Sequence, residues 1–294
     1  MSIRTVLWIA AFIVLLSAIA ICMHVSTNNQ EFSRYNVQWN GTSQLFSEIE
    51  DRGGISIVVT GNLESYEDAL LLCIAPNRSF TGEEKIYYRS FLQRGSTLFI
   101  ADEDGAANSL LEDLGSNIRI IPRNLSSVDM EFSDPRSVIA YVTGNDTLTA
   151  NISSIVLNSP AFIEGGTPLM SSSLLSWVDS NGNLRIDSGE VLERSNVLVL
   201  EHVGEGRLYV LSDPSVFING METLDIRDNR KFIETLLASS PTLLIDQVHS
   251  RTSSGEGVIK MVNMVKNTMI IKISVISSTI LAFAYLYWRR REGL

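Results

Sequence analysis

The chain is poor in the side chains that catalysis draws on. It has 294 residues but only 3 histidines and 2 cysteines. Two cysteines cannot make a disulfide framework. Cys22 lies in an apolar run and follows Ile21, where a lipoprotein signal needs a small residue. Cys73 sits between Leu72 and Ile74, so it reads as a core thiol rather than a nucleophile. There is no Gly-x-Ser-x-Gly or Gly-x-Cys-x-Gly elbow, no His-Glu-x-x-His and no P-loop, so no nucleotide cofactor is expected. His24 borders the first apolar run, His202 falls in a predicted strand, and His249 follows the last strand beyond Asp246. Positive charge is also scarce: 23 Lys and Arg stand against 33 Asp and Glu, for a net charge of −10. Several of those cations (Arg4, Lys266, Lys272, Arg289, Arg290, Arg291) are at the ends, which leaves the middle more acidic still. Such a surface repels nucleic acid. No internal repeat is visible.

Hydrophobic runs are present at both ends. Residues 5–23 carry no charge, and residues 269–288 carry only Lys272. Each has about the 20 residues that a helix needs to cross a bilayer. Arg4 precedes the first run and Arg289 to Arg291 follow the second, which favours cytoplasmic ends. The expectation is a two-pass protein of the cell membrane, with both termini cytoplasmic, the main domain extracytoplasmic and the lipid bilayer as one partner. A rival for the first run is a signal peptide cleaved after Ala18-Ile19-Ala20. The expected division is an anchor over 1–25, an α/β domain over 26–250, a linker over 251–268, a second span over 269–288 and a basic tail over 289–294. Five Asn-x-Ser/Thr sequons, at Asn40, Asn77, Asn124, Asn145 and Asn151, lie between the runs and are candidate glycan sites.

The middle of the chain first alternates helix and strand. Leu45, Phe46 and Ile49 share one helical face, and Gly53-Gly54 ends that helix. Residues 55–60, 69–75 and 97–101 are β-branched or continuous apolar runs, as in strands buried on both faces. Thr81 and Glu84 form a capping box for a helix reaching Gly95. Later, residues 196–203 and 207–212 flank Gly204-Glu205-Gly206 as a hairpin, Asp228 caps a helix, and residues 242–245 form a last strand. The expected fold class is α/β, a mainly parallel sheet flanked by helices.

One local motif stands out. Asp179-Ser180-Asn181-Gly182-Asn183-Leu184-Arg185-Ile186-Asp187-Ser188-Gly189-Glu190 follows the pattern of a 12-residue calcium loop. Asp179, Asn181, Asn183, the Arg185 carbonyl and Glu190 would be the ligands, with Asp187 acting through water. Leu184 stands where the loop needs glycine, because that position turns at positive φ. Any calcium site here is weak and structural, and a polar Asn-Gly turn is the plain alternative. A second cluster is Asp102, Glu103, Asp104 and Gly105, after the strand over 97–101, with Asp213 and Ser215 after another strand. Strand ends are where α/β proteins place ligands. Asp102, Asp104, Gly105, Asp213 and Ser215 therefore mark a candidate groove for a ligand or partner. Helix capping is the competing reading.

Several segments resemble a family of archaeal, membrane-anchored proteins of unknown function with a class I glutamine-amidotransferase-like domain. They are Ile100-Ala101-Asp102 with Asn108 to Gly115, Trp177 to Glu190, Leu211-Ser212-Asp213-Pro214-Ser215, and Asp228-Asn229-Arg230. Asp246-Gln247-Val248-His249 departs from that family's Asp-Glu-x-His. The resemblance covers roughly residues 39–250. It implies a flavodoxin-like sheet without the amidotransferase cysteine, and partners among MoxR-type AAA ATPases, other membrane proteins of such clusters or ABC-type export systems. The expectation is a non-catalytic binding domain, an accessory subunit of a membrane complex. The alternatives are a hydrolase built on Asp246 and His249 or on the Asp102 cluster, and a structural envelope protein.

Overall fold

The computed structural model describes residues 29–254 except 130 and 225, together with isolated positions 8, 11, 12, 15 and 277. In chain order the elements are α1 (Ser43–Asp51), β1 (Ile55–Ile57), β2 (Ala69–Ile74), α2 (Gly82–Gln93), β3 (Thr97–Ala101), α3 (Asn108–Asp113), β4 (Arg119–Ile121), β5 (Leu125–Ser127) and β6 (Ser137–Val142). They continue with β7 (Ser154–Asn158), β8 (Phe162–Glu164), β9 (Thr167–Ser172), β10 (Ser176–Val178), β11 (Asn196–Val203), β12 (Gly206–Leu211), α4 (Asn219–Thr223), α5 (Asn229–Leu237) and β13 (Thr242–Asp246).

Local chemistry explains the main helix. Thr81 accepts from the Glu84 N–H while the Glu84 carboxylate accepts from the Thr81 N–H, so both ends of the capping box close on α2. Glu83 and Glu84 lie in its first turn, where the helix dipole favours them. Gly95, at φ 90°, lets the chain turn away into β3. Asp228 behaves otherwise than expected. It makes no side-chain cap on α5. Its carboxylate instead accepts from the N–H groups of Ser153 (2.7 Å) and Ser154 (3.3 Å).

The sheet corrects the expected fold class. It has 11 strands, ordered β1-β13-β2-β3-β12-β11-β9-β6-β7, with β4 and β8 joined beside β11. Only the first five run parallel. From β12 onward the pairs are antiparallel: β12 with β11, β11 with β9, β9 with β6 and β6 with β7. The sheet is thus mixed, and the described helices are few and short. The reversal starts at the hairpin between β11 and β12, where Gly204 turns at φ 62°. A Cβ there would lie 3.0 Å from the Gln93 Cα. Apolar runs buried on both faces do not reveal strand direction, so beyond the expected hairpin at Gly204 the antiparallel half of the sheet is not legible in a sequence that reads as mainly parallel.

The membrane placement is corrected as well. Among the described residues no helix is long and apolar enough to cross a membrane. The longest, α2, has 12 residues and spans only about 18 Å, against about 30 Å of hydrocarbon. Apart from the isolated positions 8, 11, 12, 15 and 277, the runs 5–23 and 269–288, on which the two-pass expectation rests, lie outside the described residues, as do His24 and the tail over 289–294.

Two apolar layers hold the sheet. On one face Phe46, Ile49, Phe232 and Leu236 pack on Leu70, Leu72, Phe99 and Leu211. On the other, Tyr88, Phe91, Leu110 and Leu111 cover Leu71, Cys73, Ile100 and Val210. The outer edge of β7 is closed by side chains rather than by another strand. Asp228 takes the Ser154 N–H, Asn229 takes the Val156 N–H (2.8 Å) and gives its amide to the Val156 carbonyl (2.8 Å), and Asp213 takes the Asn158 N–H (2.6 Å). Alternate N–H groups of a strand point to one edge, so three carboxylate or amide groups silence that edge.

Candidate functional site

The carboxyl ends of the parallel strands carry two polar clusters. The first is at β13 and β2. Asp246 ends β13, and Cys73 lies next to last on β2, one position beyond the Ile245–Leu72 pair. The His249 Nδ1 is 2.8 Å from Asp246 Oδ2, and its Nε2 is 3.3 Å from Glu84 Oε2. The Tyr88 hydroxyl donates to Asp246 Oδ2 at 2.6 Å. Asp246 Oδ1 accepts from the N–H of Val248 (2.7 Å) and of His249 (3.2 Å). The Phe80 ring stacks on the imidazole, with centroids 3.8 Å apart. Arg78 grips Glu84 with two bonds, at 2.6 and 2.9 Å.

Burial and pairing set the electrostatics of this array. Burial would raise the Asp246 carboxyl, but hydrogen bonds from His249 and Tyr88 outweigh it and hold the group below the usual carboxylate range. The Arg78 guanidinium holds Glu84 well below that range. Burial, with the Asp246 charge next, pushes both the Cys73 thiol and the Tyr88 phenol well up. A thiol so raised is a poor nucleophile. His249 and Tyr88 have no exposed surface, and Cys73 and Asp246 almost none. The side-chain types would suit acid–base or acyl chemistry, but they are sealed and mutually satisfied. Of this array, Asp246 and His249 were named in the sequence, and Cys73 was read there as core. Tyr88 and Glu84 were missed as members. The capping box that fixes Glu84 and the Asp-x-x-His spacing at a strand end were the available signals.

The second cluster is at β3 and β12. Asp102 Oδ1 accepts from the N–H of Asp104 (2.9 Å) and Gly105 (3.1 Å), and Oδ2 from Ala107 (2.8 Å). Asp213 Oδ1 accepts from the Ser215 N–H at 2.7 Å. Burial raises Asp102, lifts Asp213 to about 6 and lifts Glu103 to about 8, the last with help from the Asp213 charge. Arg251 reaches Asp104 at 2.8 Å and Glu31 at 3.4 Å, and lies over the Phe32 ring. The structure thus gathers Asp102, Asp104 and Gly105 in one turn. It spends Asp102 and Asp213 on backbone N–H groups and leaves Asp104 exposed.

The loop 179–190 is apart from both clusters. Asp179 accepts from the N–H of Gly182 and Asn183 on Oδ1 and of Leu184 on Oδ2. Asn181 accepts from Asn183 N–H, and Asn183 from Arg185 N–H. Glu190 accepts from Ser180 and Asp187 N–H. Leu184 takes the left-handed turn at φ 59°, although it is not glycine. The loop is thus held by hydrogen bonds from its own backbone N–H groups to Asp179, Asn181, Asn183 and Glu190. The side chains are committed otherwise: the amides of Asn181 and Asn183 both donate to Asp187 Oδ2 at 2.7 Å. Among the described residues no three His, Cys, Asp or Glu are arranged to hold a metal ion. Beside this loop, Trp177, Val128, Pro135, Leu184 and Ile186 line a cleft of about 390 Å³. Sequence reasoning did not foresee it, because β5 and β10 are 3-residue strands that pair across about 50 residues of chain. Of the sequon residues, Asn77, Asn124, Asn145 and Asn151 are exposed, and Asn40 is half-buried with its side-chain oxygen held by Asn36.

Residues 34–237 match the model of a family described as a domain of unknown function, DUF4350. The chain belongs to that family. No curated protein matches it. Among solved structures, the mmIFT52 N-terminal domain is similar at 16% identity and a TM-score of 0.51, over 67% of this chain and 90% of that one. At that identity the likeness is one of fold. A cytoplasmic protein from Salmonella typhimurium LT2 aligns over 68% of this chain and 87% of its own, at 14% identity and a TM-score of 0.42. A β-galactosidase from Rahnella sp. R3 aligns at 12% identity and 0.36, over 58% of this DUF4350 chain but only 22% of the enzyme.

Proposed function

We propose that this DUF4350 domain is a non-catalytic binding module, an accessory subunit that engages a partner protein in a larger assembly. The carrying observation is the closure of the Cys73–Tyr88–Asp246–His249 array. A group that reacts with substrate must reach it within hydrogen-bond distance. These groups are buried and are met by one another, by Glu84, by Phe80 and by the N–H groups of Val248 and His249. The accessible surface offers recognition instead, with an apolar-lined cleft at β10 and exposed apolar side chains around it. The AAA-ATPase or export-system partner implied by the sequence resemblance, and the archaeal, amidotransferase-like kinship, belong to this reading. The five parallel strands are compatible with that kinship, while the family match speaks only for DUF4350.

Weak structural calcium at the 179–190 loop is part of the same proposal. Asp179, Asn181, Asn183, the Arg185 carbonyl and Glu190 would hold the ion, and the Asn amides would have to turn their oxygens inward. The function is tested with the purified full chain on ester, amide and glycoside substrates, alongside mass spectrometry of proteins that co-purify stoichiometrically. A defined partner and no turnover support the reading. Turnover that disappears in both Cys73→Ser and His249→Asn sinks it in favour of a hydrolase.

A further inference from the structure

Three strands end the main sheet: β7, β4 and β1. The first two are capped in the same way. At β7 the Asn229 amide accepts from the Val156 N–H and donates to the Val156 carbonyl. At β4 the Asn108 amide accepts from the Ile120 N–H (2.9 Å) and donates to the Ile120 carbonyl (2.8 Å). A side-chain amide carries both an acceptor and a donor, so each asparagine stands in for a residue of a further strand. A bare row of N–H and C=O groups pairs with other chains, and native sheets keep such rows covered.

β1 has no such cap. The Gln247 N–H donates to the Ile57 carbonyl at 2.8 Å, so Ile57 addresses β13. Successive residues of a strand address opposite sides, so the N–H and C=O of Ser56 and Val58 face outward. Among the described residues these backbone groups meet no hydrogen-bond partner. What Ser56 does bond is its hydroxyl, which accepts from Arg34 at 3.1 Å. The backbone stays extended through Val59, at φ −138° and ψ 123°. Residues 55–59 contain no charge, proline or glycine to discourage pairing. Ile55, Val58 and Val59 are 40%, 62% and 57% exposed, so the bare edge is also apolar.

Charge distinguishes the occupant. Asp51 precedes β1, and Glu64 lies in the turn Thr60–Ser65 that follows the strand and packs against it. Both are exposed and make no ion pair among the described residues. The nearby cations are spent, Arg34 on Glu50 and Arg52 on Glu48. A two-fold pair of copies joined at β1 would be antiparallel and would bring Asp51 of each towards Glu64 of the other, and like charges so placed destabilise a pair of strands. We propose that β1 receives an extended segment of a partner protein, added as an outer strand, with apolar side chains against Val58 and Val59 and lysine or arginine at its ends. The segment's backbone supplies the partners that Ser56 and Val58 lack. This rests on the binding-module reading and names the chemistry of its partner.

The test is calorimetric titration of the purified full chain with the acetylated, amidated peptide Lys-Val-Thr-Val-Thr-Lys. It is expected to bind with a Kd of about 1 mM or tighter and to slow hydrogen exchange over residues 55–59. The same peptide N-methylated on its backbone amides is expected not to bind, and one with glutamate for lysine to bind about tenfold more weakly. Val58→Pro removes an outward N–H and should weaken binding by about tenfold. Val58→Lys, which repels the lysine peptide and decides the matter if the proline chain fails to fold, should weaken it by about fivefold. Absent binding, equal affinity for the N-methylated peptide, or an unchanged affinity in the Val58 variant overturns the inference. So does a dimer in sedimentation that Val58→Pro dissociates, because the edge then takes a second copy. If a stoichiometric partner still co-purifies with the Val58→Pro chain, only the edge assignment falls. Turnover dependent on Cys73 and His249 would instead remove the binding-module reading itself.

Discussion

The array around Asp246 and the cleft beside Trp177 are opposites. The first holds a histidine, a tyrosine, a thiol and the Asp246 carboxylate, all buried, with the half-buried Glu84 at its rim, each contacting another of the set. The second is open and apolar, and has a buried donor with no acceptor. Side chains able to do chemistry here tie the end of β13 to α2, and under the binding-module proposal the accessible surface serves recognition. On the proposed reading, reactive residue types at strand ends make an active site only where a substrate can reach them.

The largest effect should come from opening the closed region. His249→Ala leaves the Asp246 carboxylate buried with one partner fewer. It should cost about 3–5 kcal/mol, lowering Tm by on the order of 10 °C in a thermal melt. A melt within 2 °C of the parent, at about 0.5 kcal/mol, would mean the array is not a fastening at all. Next is the β7 edge. Asn229→Ala uncovers both polar groups of Val156 and should cost about 2–3 kcal/mol, read as a shifted urea midpoint with an unchanged slope.

The third prediction concerns pH. Asp213 and Glu103 have folded pKa values raised to about 6 and about 8. Between the ordinary carboxylate values and these, the folded chain holds more protons than the unfolded one. Stability should then fall as pH rises from about 5 to about 8, because the slope follows the unfolded-minus-folded proton count. Glu103→Gln should flatten the upper part of that fall. A melt that rises across the window, or one that Glu103→Gln leaves unaltered, breaks this assignment. The smallest effect is in the open region. Leu184→Gly removes a left-handed leucine, with a gain of about 0.5 kcal/mol after the added unfolded-state freedom of glycine. It should also tighten calcium binding, which is expected near 10⁻⁴–10⁻³ M and is measurable by calorimetry.

Much of the local structure could be read from the chain. The capping box at Thr81 and Glu84, the face of Leu45, Phe46 and Ile49, and the Gly204 hairpin all rest on contacts within a few residues. What lay beyond the sequence depends on distant pairing. β13 inserts between β1 and β2, and β6, β7, β9 and β11 run antiparallel, although their apolar runs resemble those of the parallel strands. Tyr88 lies 158 residues from Asp246 and 161 from His249, so no spacing rule joins them. Asp228 precedes a helix yet serves β7, a choice that only the folded edge reveals. Leu184 adopted the turn that its side chain disfavours, because Asp179 binds three successive N–H groups around it.

Thiol labelling of Cys73 tests the central claim most directly. In a Cys22→Ser full chain, Cys73 is the remaining cysteine. If the array is closed, a maleimide should leave Cys73 unmodified for hours at pH 7 and react only as denaturant unfolds the chain. Stoichiometric labelling within minutes under native conditions would contradict the account, since it would place an accessible thiol beside His249 and Asp246.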